Sequence, residues 1–301
     1  MRAFIFGPCA ILAVALACFS PGAFGQPGNT GYSYSITPVY HWDSDFEREG
    51  DASFAGLFLS LGHTWALGQG SSLGWRAHFD YENWRFSDAA AFGTDDPWDN
   101  FYRYGVSVPW FRVARNGWMW NFTPTLGYAG ESGADFSDSI EYGATLAAIR
   151  PIRPGLTLGF GFGFFRRIED NFAFPMLVVD WRINEKWRLA NPAPAGPAGP
   201  AGLELSYDLG GGWDTAFGAT QRSERHRLGS NGPVPDGVGE HEFTLVFGRI
   251  SRSVMDTGRL GLYVGADTNT KYRIEDSQGR QIVNEDADPA LMLGISLTGR
   301  F

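Results

Sequence analysis

Apolar residues in this chain recur at every second position, in runs of about ten residues, the repeat of a strand with two unlike faces rather than of a helix. The stretch LTLGFGFGFFRR shows the repeat at its barest. Successive side chains of an extended chain point to opposite sides. Leu156, Leu158, Phe160, Phe162 and Phe164 therefore share one face, and Gly159, Gly161 and Gly163 share the other. These glycines also spell GxGxG. A dinucleotide fingerprint needs GxGxxG between a strand and a helix. Here the third glycine is misplaced and no helical pattern follows, so the glycines are read as keeping an inner face small.

The same alternation appears elsewhere. In LGWRAHFDYE, Leu73, Trp75, Ala77, Phe79 and Tyr81 oppose Arg76, His78, Asp80 and Glu82. Tyr102, Tyr104, Val106, Val108 and Trp110 oppose Arg103, Gly105 and Ser107. Leu203, Leu205, Tyr207 and Leu209 oppose Glu204, Ser206 and Asp208. The 40 glycines and 15% aromatic residues agree with this, because helices tolerate glycine poorly and strands favour aromatic and β-branched residues. Beyond residue 25 no apolar run is long enough for a membrane helix. A net charge of −9 argues against a nucleic-acid partner.

Residues 1–25 read as a secretory signal peptide. Arg2 supplies the positive start, Phe4 to Phe19 the apolar stretch, and Ala23 and Gly25 the small residues before a cut at Gln26. A lipid-attachment reading of Cys18 in ALAC competes, although Ala15 is a poor match to the usual leucine. Cys9 and Cys18 both lie in this segment. A chain starting at Gln26 has neither disulfides nor a cysteine metal site. The expected organisation is the leader followed by one barrel domain over residues 26–301.

A soluble β-sandwich also shows alternation. Two features favour a barrel in lipid. Aromatic residues crowd the apolar faces near segment ends, as at Tyr40, Trp42, Trp65, Trp110, Trp118 and Trp120; membrane barrels carry such girdles at both interfaces. Connections also alternate between short turns (GQGSS, ARNG, RPIRPG, MDTG) and long polar loops (DSDFEREGD, SDAAAFGTDDPWDN, EDSQGRQIVNEDAD), as outer-membrane barrels do between their periplasmic and external ends. The expected fold is all-β, an antiparallel up-and-down transmembrane barrel of about twelve strands, with ten to fourteen allowed by uncertain boundaries. Trp213 to Gly239 has room for a further hairpin. Asn184 to Gly202, Pro-rich and long, falls on the short-turn side in this count. It is read as a stiff periplasmic excursion, with a docking segment for a periplasmic partner as the sharper alternative.

The chain ends PALMLGISLTGRF. Leu293, Ile295, Leu297 and the terminal Phe301 form an amphipathic final strand. Such an ending resembles the signal that outer-membrane barrels present to their assembly machinery. FAFPMLVVDWRINEKWRLANP, GPAGLELSYDL and the YENWRF strand with its acidic loop together resemble an uncharacterised family of bacterial outer-membrane barrels. That resemblance implies a barrel in the outer membrane, no activity and no transferable functional residues.

In such a barrel the polar face lines the lumen. The expected lining is Arg76, His78, Asp80, Glu82, Arg103, Glu141, Asp180, Arg182, Glu204, Asp208, Glu242 and Asp267. Charges of both signs suit a filled interior of paired groups, and equally a pore whose charges tune selectivity. Passive passage of small polar solutes is the reading taken, with a filled structural or surface-binding barrel as the alternative. A barrel hydrolase built on His78, Asp80 and Ser107 is a third reading. Those residues have inward parity on adjacent strands, but no nucleophile elbow accompanies them. His41 has inward parity, His63 faces outward, and His226 and His241 lie near a long loop. No pair has metal-binding spacing, and DTNTKYRIEDSQ lacks the glycine and final glutamate of a calcium loop. No cofactor is expected. The expected partners are outer-membrane lipid and the assembly machinery; the oligomeric state stays open.

Overall fold

The computed structural model describes residues 30–301 apart from Gln69, Asp95, Ala193 to Ala198 and Pro200. The leader, with its cleavage site and Cys18, lies outside the described residues. The chain forms β1 (Gly31–Asp45), β2 (Asp51–Gly68), β3 (Ser71–Ser87), β4 (Asn100–Ser107), β5 (Trp110–Val113), β6 (Met119–Glu131), β7 (Ile140–Arg153), β8 (Leu156–Arg167) and β9 (Asp170–Arg182). It continues as β10 (Trp187–Ala190), β11 (Gly202–Gly210), β12 (Trp213–Arg227), β13 (Val238–Val254), β14 (Gly258–Glu275), β15 (Gln281–Ala287) and β16 (Leu291–Arg300).

β4 and β5 are one wall strand interrupted at Pro109, which has no N–H for the ladder; its carbonyl still accepts from Gly74 N at 2.9 Å. β15 and β16 likewise share one strand position, both pairing with β14. The wall therefore has fourteen strands, the upper end of the expected range. β16 pairs with β1, Tyr34 opposite Gly299 and His41 opposite Met292. The sheet thus closes without edges, as a strand structure in lipid must.

The two strands that sequence reading missed are β10 and β12. β10 is four residues long, too short for a visible alternation. The second half of β12, TQRSERHR, is polar on both faces. Their presence corrects the reading of Asn184 to Gly202. Asn184 closes a short turn, its Oδ1 accepting from Lys186 N and Trp187 N at 2.9 Å each. β10 then reverses the chain, so Ala190 and Gly202, which flank the Pro-rich part, lie away from the short turns, opposite Asp180 and Thr220. Most of the Pro-rich part lies outside the described residues.

The faces follow the alternation. Phe160 and Phe217 are each 65% exposed on the outer wall. Tyr32, Trp65, Trp120, Trp187 and Trp213 ring the outside near the short turns, and Tyr40, Trp42 and Tyr142 lie outside toward the long loops, the two girdles of a membrane barrel. Inside, Gly161 and Gly163 make room for side chains of β9, and Gly159 for Ile149 of β7. A Cβ on Gly163 would lie 2.3 Å from the Phe174 ring, and one on Gly161 2.6 Å from Met176. Phe174 and Met176 pack there with Phe111, Ile149, Phe165 and Val178.

The barrel is not a uniform tube. β12 parts from β11 after Thr220, which pairs with Gly202, and crosses inward. At its end Arg227 pairs in parallel with Gly130 of β6, a strand that is not its neighbour in the wall. Gly229 N then donates to Glu131 at 2.7 Å. At this level β6, β4, β3, β2, β1, β15, β14, β13 and β12 close into a narrower ring, and β7 to β9 lie against its outside. A ring of about eight strands is just wide enough for side chains to fill. This one is filled by Phe54, Trp84, Trp98, Phe101, Phe243 and Tyr272 among others, with no contribution from β7 to β11.

Candidate functional site: the lumen

The lumen has two levels. At the level of the aromatic plug, charges from facing strands meet. Arg103 of β4 reaches Asp80 Oδ2 at 3.9 Å and Glu224 Oε1 at 3.7 Å, and Nη2 lies 3.1 Å from His226 Nε2. Arg222 also bonds Glu224. Trp84 Nε1 donates to Glu82 Oε2 at 3.1 Å, and the His226 ring stacks on Phe101 at 3.9 Å. Glu82, Glu224 and His226 are all buried. Unpaired charges there would be costly, so the network is mutually dependent.

His41 and Asp267 form a second buried pair, Nε2 to Oδ2 3.1 Å. Asp267 also accepts from Thr270 Oγ1 and Ala290 N at 2.7 Å each. DTNTKYRIE therefore belongs to strand β14 rather than to an ion-binding loop. His241 lies between the rings of Phe243 and Tyr272, 4.6 Å from each.

A third set of charges lies on the outside of the narrow ring, covered by the β8–β9 hairpin. Arg225 donates to the Ile168 carbonyl at 2.6 Å and to Glu240 and Glu275 at 3.1 Å each. Arg273 meets Glu240 at 2.7 Å, and Arg167 donates to Ser223 Oγ at 3.1 Å. Arg227 bonds Glu169 and the Asp138 carbonyl. Sequence reading missed all of these. The available signal was the run QRSERHR itself: a strand charged on both faces has no side to give to lipid.

At the short-turn end the lining is charged and partly exposed: the Arg188 and Arg259 side chains are each 44% exposed, and those of Arg249, Glu204 and Asp214 are mostly covered. Arg188 holds Asp180 at 2.7 Å. Arg249 holds Glu204 at 2.6 Å and Asp214 at 2.7 Å, and Arg259 shares Asp214. Asp208 is exposed and caps the turn through Gly210 N at 2.8 Å. A cleft of about 430 Å³ opens here between the ends of β7, β8 and β9, lined by Arg153, Thr157, Asp180 and Arg182.

Of the expected lining, Arg76, His78, Asp80, Glu82, Arg103, Glu141, Asp180, Arg182, Glu204, Asp208 and Asp267 share the inner parity of their strands. Glu242 does not. His241 and Phe243 are the buried inner residues of β13, and Glu242 lies on the opposite face, accepting from Gln221 Nε2 at 3.2 Å. The hydrolase candidates are not arranged as a relay. Ser107 Oγ lies 2.9 Å from Thr125 Oγ1, and Asp80 faces Arg103. At the C-terminus Ile295 and Phe301 are exposed on the outer wall, and the Phe301 ring stacks on Tyr32 at 5.2 Å.

No protein-family model matches the chain, and no curated protein matches it. Its fold is similar to that of the COG4313 outer membrane channel from Pseudomonas putida F1, with a TM-score of 0.53 and 10% identity over 94% of this chain and 100% of that one. The Pseudomonas putida toluene transporter TodX aligns over 92% of each chain at 8% identity and a TM-score of 0.47. The first similarity establishes the architecture, a closed antiparallel barrel of the outer-membrane type. The resemblance to an uncharacterised barrel family thus goes no further than that architecture.

Proposed function

We propose that this protein is an outer-membrane channel for passive passage of small polar solutes, and that the narrow ring is its closed gate. The change of girth supports the reading. Barrels of about sixteen strands leave an aqueous lumen, whereas about eight are filled by side chains. This wall has fourteen strands at the short-turn end, where Arg188 and Arg259 of its charged lining are each 44% exposed beside the packed Phe111, Ile149 and Val178, and narrows to the fully packed ring above. A purely structural barrel would have no need of the wider, charged lower half. In this reading the short turns face the periplasm, and Leu293, Ile295, Leu297 and Phe301 present the final strand to the assembly machinery.

The test is conductance of the detergent-refolded protein in a planar bilayer, compared with Arg225→Met. That change leaves Glu240 and Glu275 without their shared guanidinium partner and loosens β12 from β8. Discrete steps that become more frequent in Arg225→Met are expected. Silence in both proteins, with folding confirmed by heat-modifiable gel mobility, would sink the passage reading in favour of a filled barrel.

A further inference from the structure

The whole chain carries a net charge of −9, which by itself suggests a lumen that repels anions. The pairing of the lower lumen gives the opposite sign. Its inner-facing carboxylates are nearly all occupied. Asp180 is held by Arg188, Glu204 by Arg249, and Asp214 by Arg249 and Arg259. Among the described residues, Arg76, Arg153 and Arg182 have no carboxylate within ion-pair distance; on the acidic side Asp208 is left over in the lining, with Glu185 and Asp256 in the neighbouring short turns. The protein's excess negative charge lies mainly elsewhere, in the long loops around Asp43 to Asp51, Asp88 to Asp99 and Glu285 to Asp288. At about 10 Å of screening length in salt, those distant acids contribute little at the lower mouth.

Two of the free guanidinium groups share one cleft. Arg153 is the last residue of β7, paired with Leu156 across a bulge, and Arg182 ends β9; both are exposed and both line the cleft of about 430 Å³, with Asp180, held by Arg188, beside them. The β7–β8 turn fixes their relation, because Arg182 N donates to the Gly155 carbonyl at 2.7 Å. Gly155, with φ of +78°, supplies the left-handed residue that this tight turn requires. Thr157 adds a hydroxyl to the cleft wall. Two like charges on one concave surface repel each other until an anion comes between them, and the guanidinium fork matches the oxygens of a carboxylate or phosphate.

We infer that the short-turn mouth of the lumen is an oxyanion site, with Arg153 and Arg182 as the binding pair, and that the solutes this barrel passes are small carboxylates or phosphate esters. The solute class rests on the passage reading above; the anion site does not. Two measurements separate them. Phenylglyoxal modification of the folded protein in detergent, followed by peptide mass spectrometry, reports each arginine. Inorganic phosphate, against chloride at matched ionic strength, is expected to slow modification of Arg153 and Arg182 at least about threefold more than that of Arg115, if the site is mostly occupied. Arg115 is an exposed arginine in the turn after β5. Equal slowing at all three, or none, overturns the site whether or not the barrel conducts. The second measurement is the reversal potential in a KCl gradient. Anion preference, lost in Arg153→Gln/Arg182→Gln, is expected. Cation preference in the unaltered protein overturns the inference while leaving passage intact. A silent bilayer removes the solute class along with the passage reading, and phosphate protection then decides the site alone.

Discussion

Single residues carry the closure. Arg103 is the only guanidinium that meets both Asp80 and Glu224 among the described ion pairs. Removing one member of a buried network leaves uncompensated charge, at a cost of about 3–5 kcal/mol. Arg103→Ala is therefore expected to lower the urea midpoint of the refolded barrel well beyond Arg115→Ala, read by loss of heat-modifiable mobility. Gly163→Ala tests packing on the same scale. Its Cβ would meet the Phe174 ring at 2.3 Å, and overpacking of a filled interior costs about 1–3 kcal/mol. A third residue answers to pH. Asp135, in the loop after β6, accepts from the hydroxyl and N–H of Ser137 and from Asp138 N, which hold its carboxyl below the usual carboxylate range. A depressed acid stabilises the fold above its unfolded pKa of about 3.9, and that contribution is lost as pH falls through the lower folded value. Protection of the Ser137 and Asp138 amides, taken relative to the intrinsic exchange rate at each pH, should hold down to about pH 4 and fall only below it. Loss of protection that begins near neutral pH would contradict this.

Among elements, legibility in the sequence depends on what each face of a strand meets. β3, β8 and β16 meet lipid on one side and the lumen on the other, so their alternation is plain and the inner parity of Arg76, His78 and Asp80 follows from it. β12 breaks the pattern because its second half meets no lipid. Ser223, Arg225 and Arg227 look toward the β8–β9 hairpin and its neighbouring loop, while Glu224 and His226 look into the ring. A strand between two polar surfaces has no period to read. Glu242 was misplaced because β13 turns its apolar residues, Phe243, Leu245 and Phe247, into the packed ring and its charged ones outward, the reverse of a strand between lipid and a polar lumen. Gly130→Cys/Arg227→Cys tests the crossing of β12 directly. Neighbouring strands lie about 5 Å apart, within disulfide reach, and the described residues contain no cysteine. Oxidation is expected to hold the ring shut and abolish conductance steps, and reductant to restore them. Steps that persist in the oxidised protein would show that solute bypasses the ring.

For the whole molecule, the two girths have a consequence for how the chain reaches its final state. The wide wall closes at the β1–β16 seam, and the narrow ring closes only when β12 also reaches β6. The ring runs through that same seam, since the Phe46–Ala287 bridge joins the end of β1 to β15. The ring therefore cannot be complete before the wall is. The filled interior thus hangs on a single long-range contact: with β12 held away from β6, Glu224 and His226 would lose Arg103 and Phe101 and face an open, wettable bore.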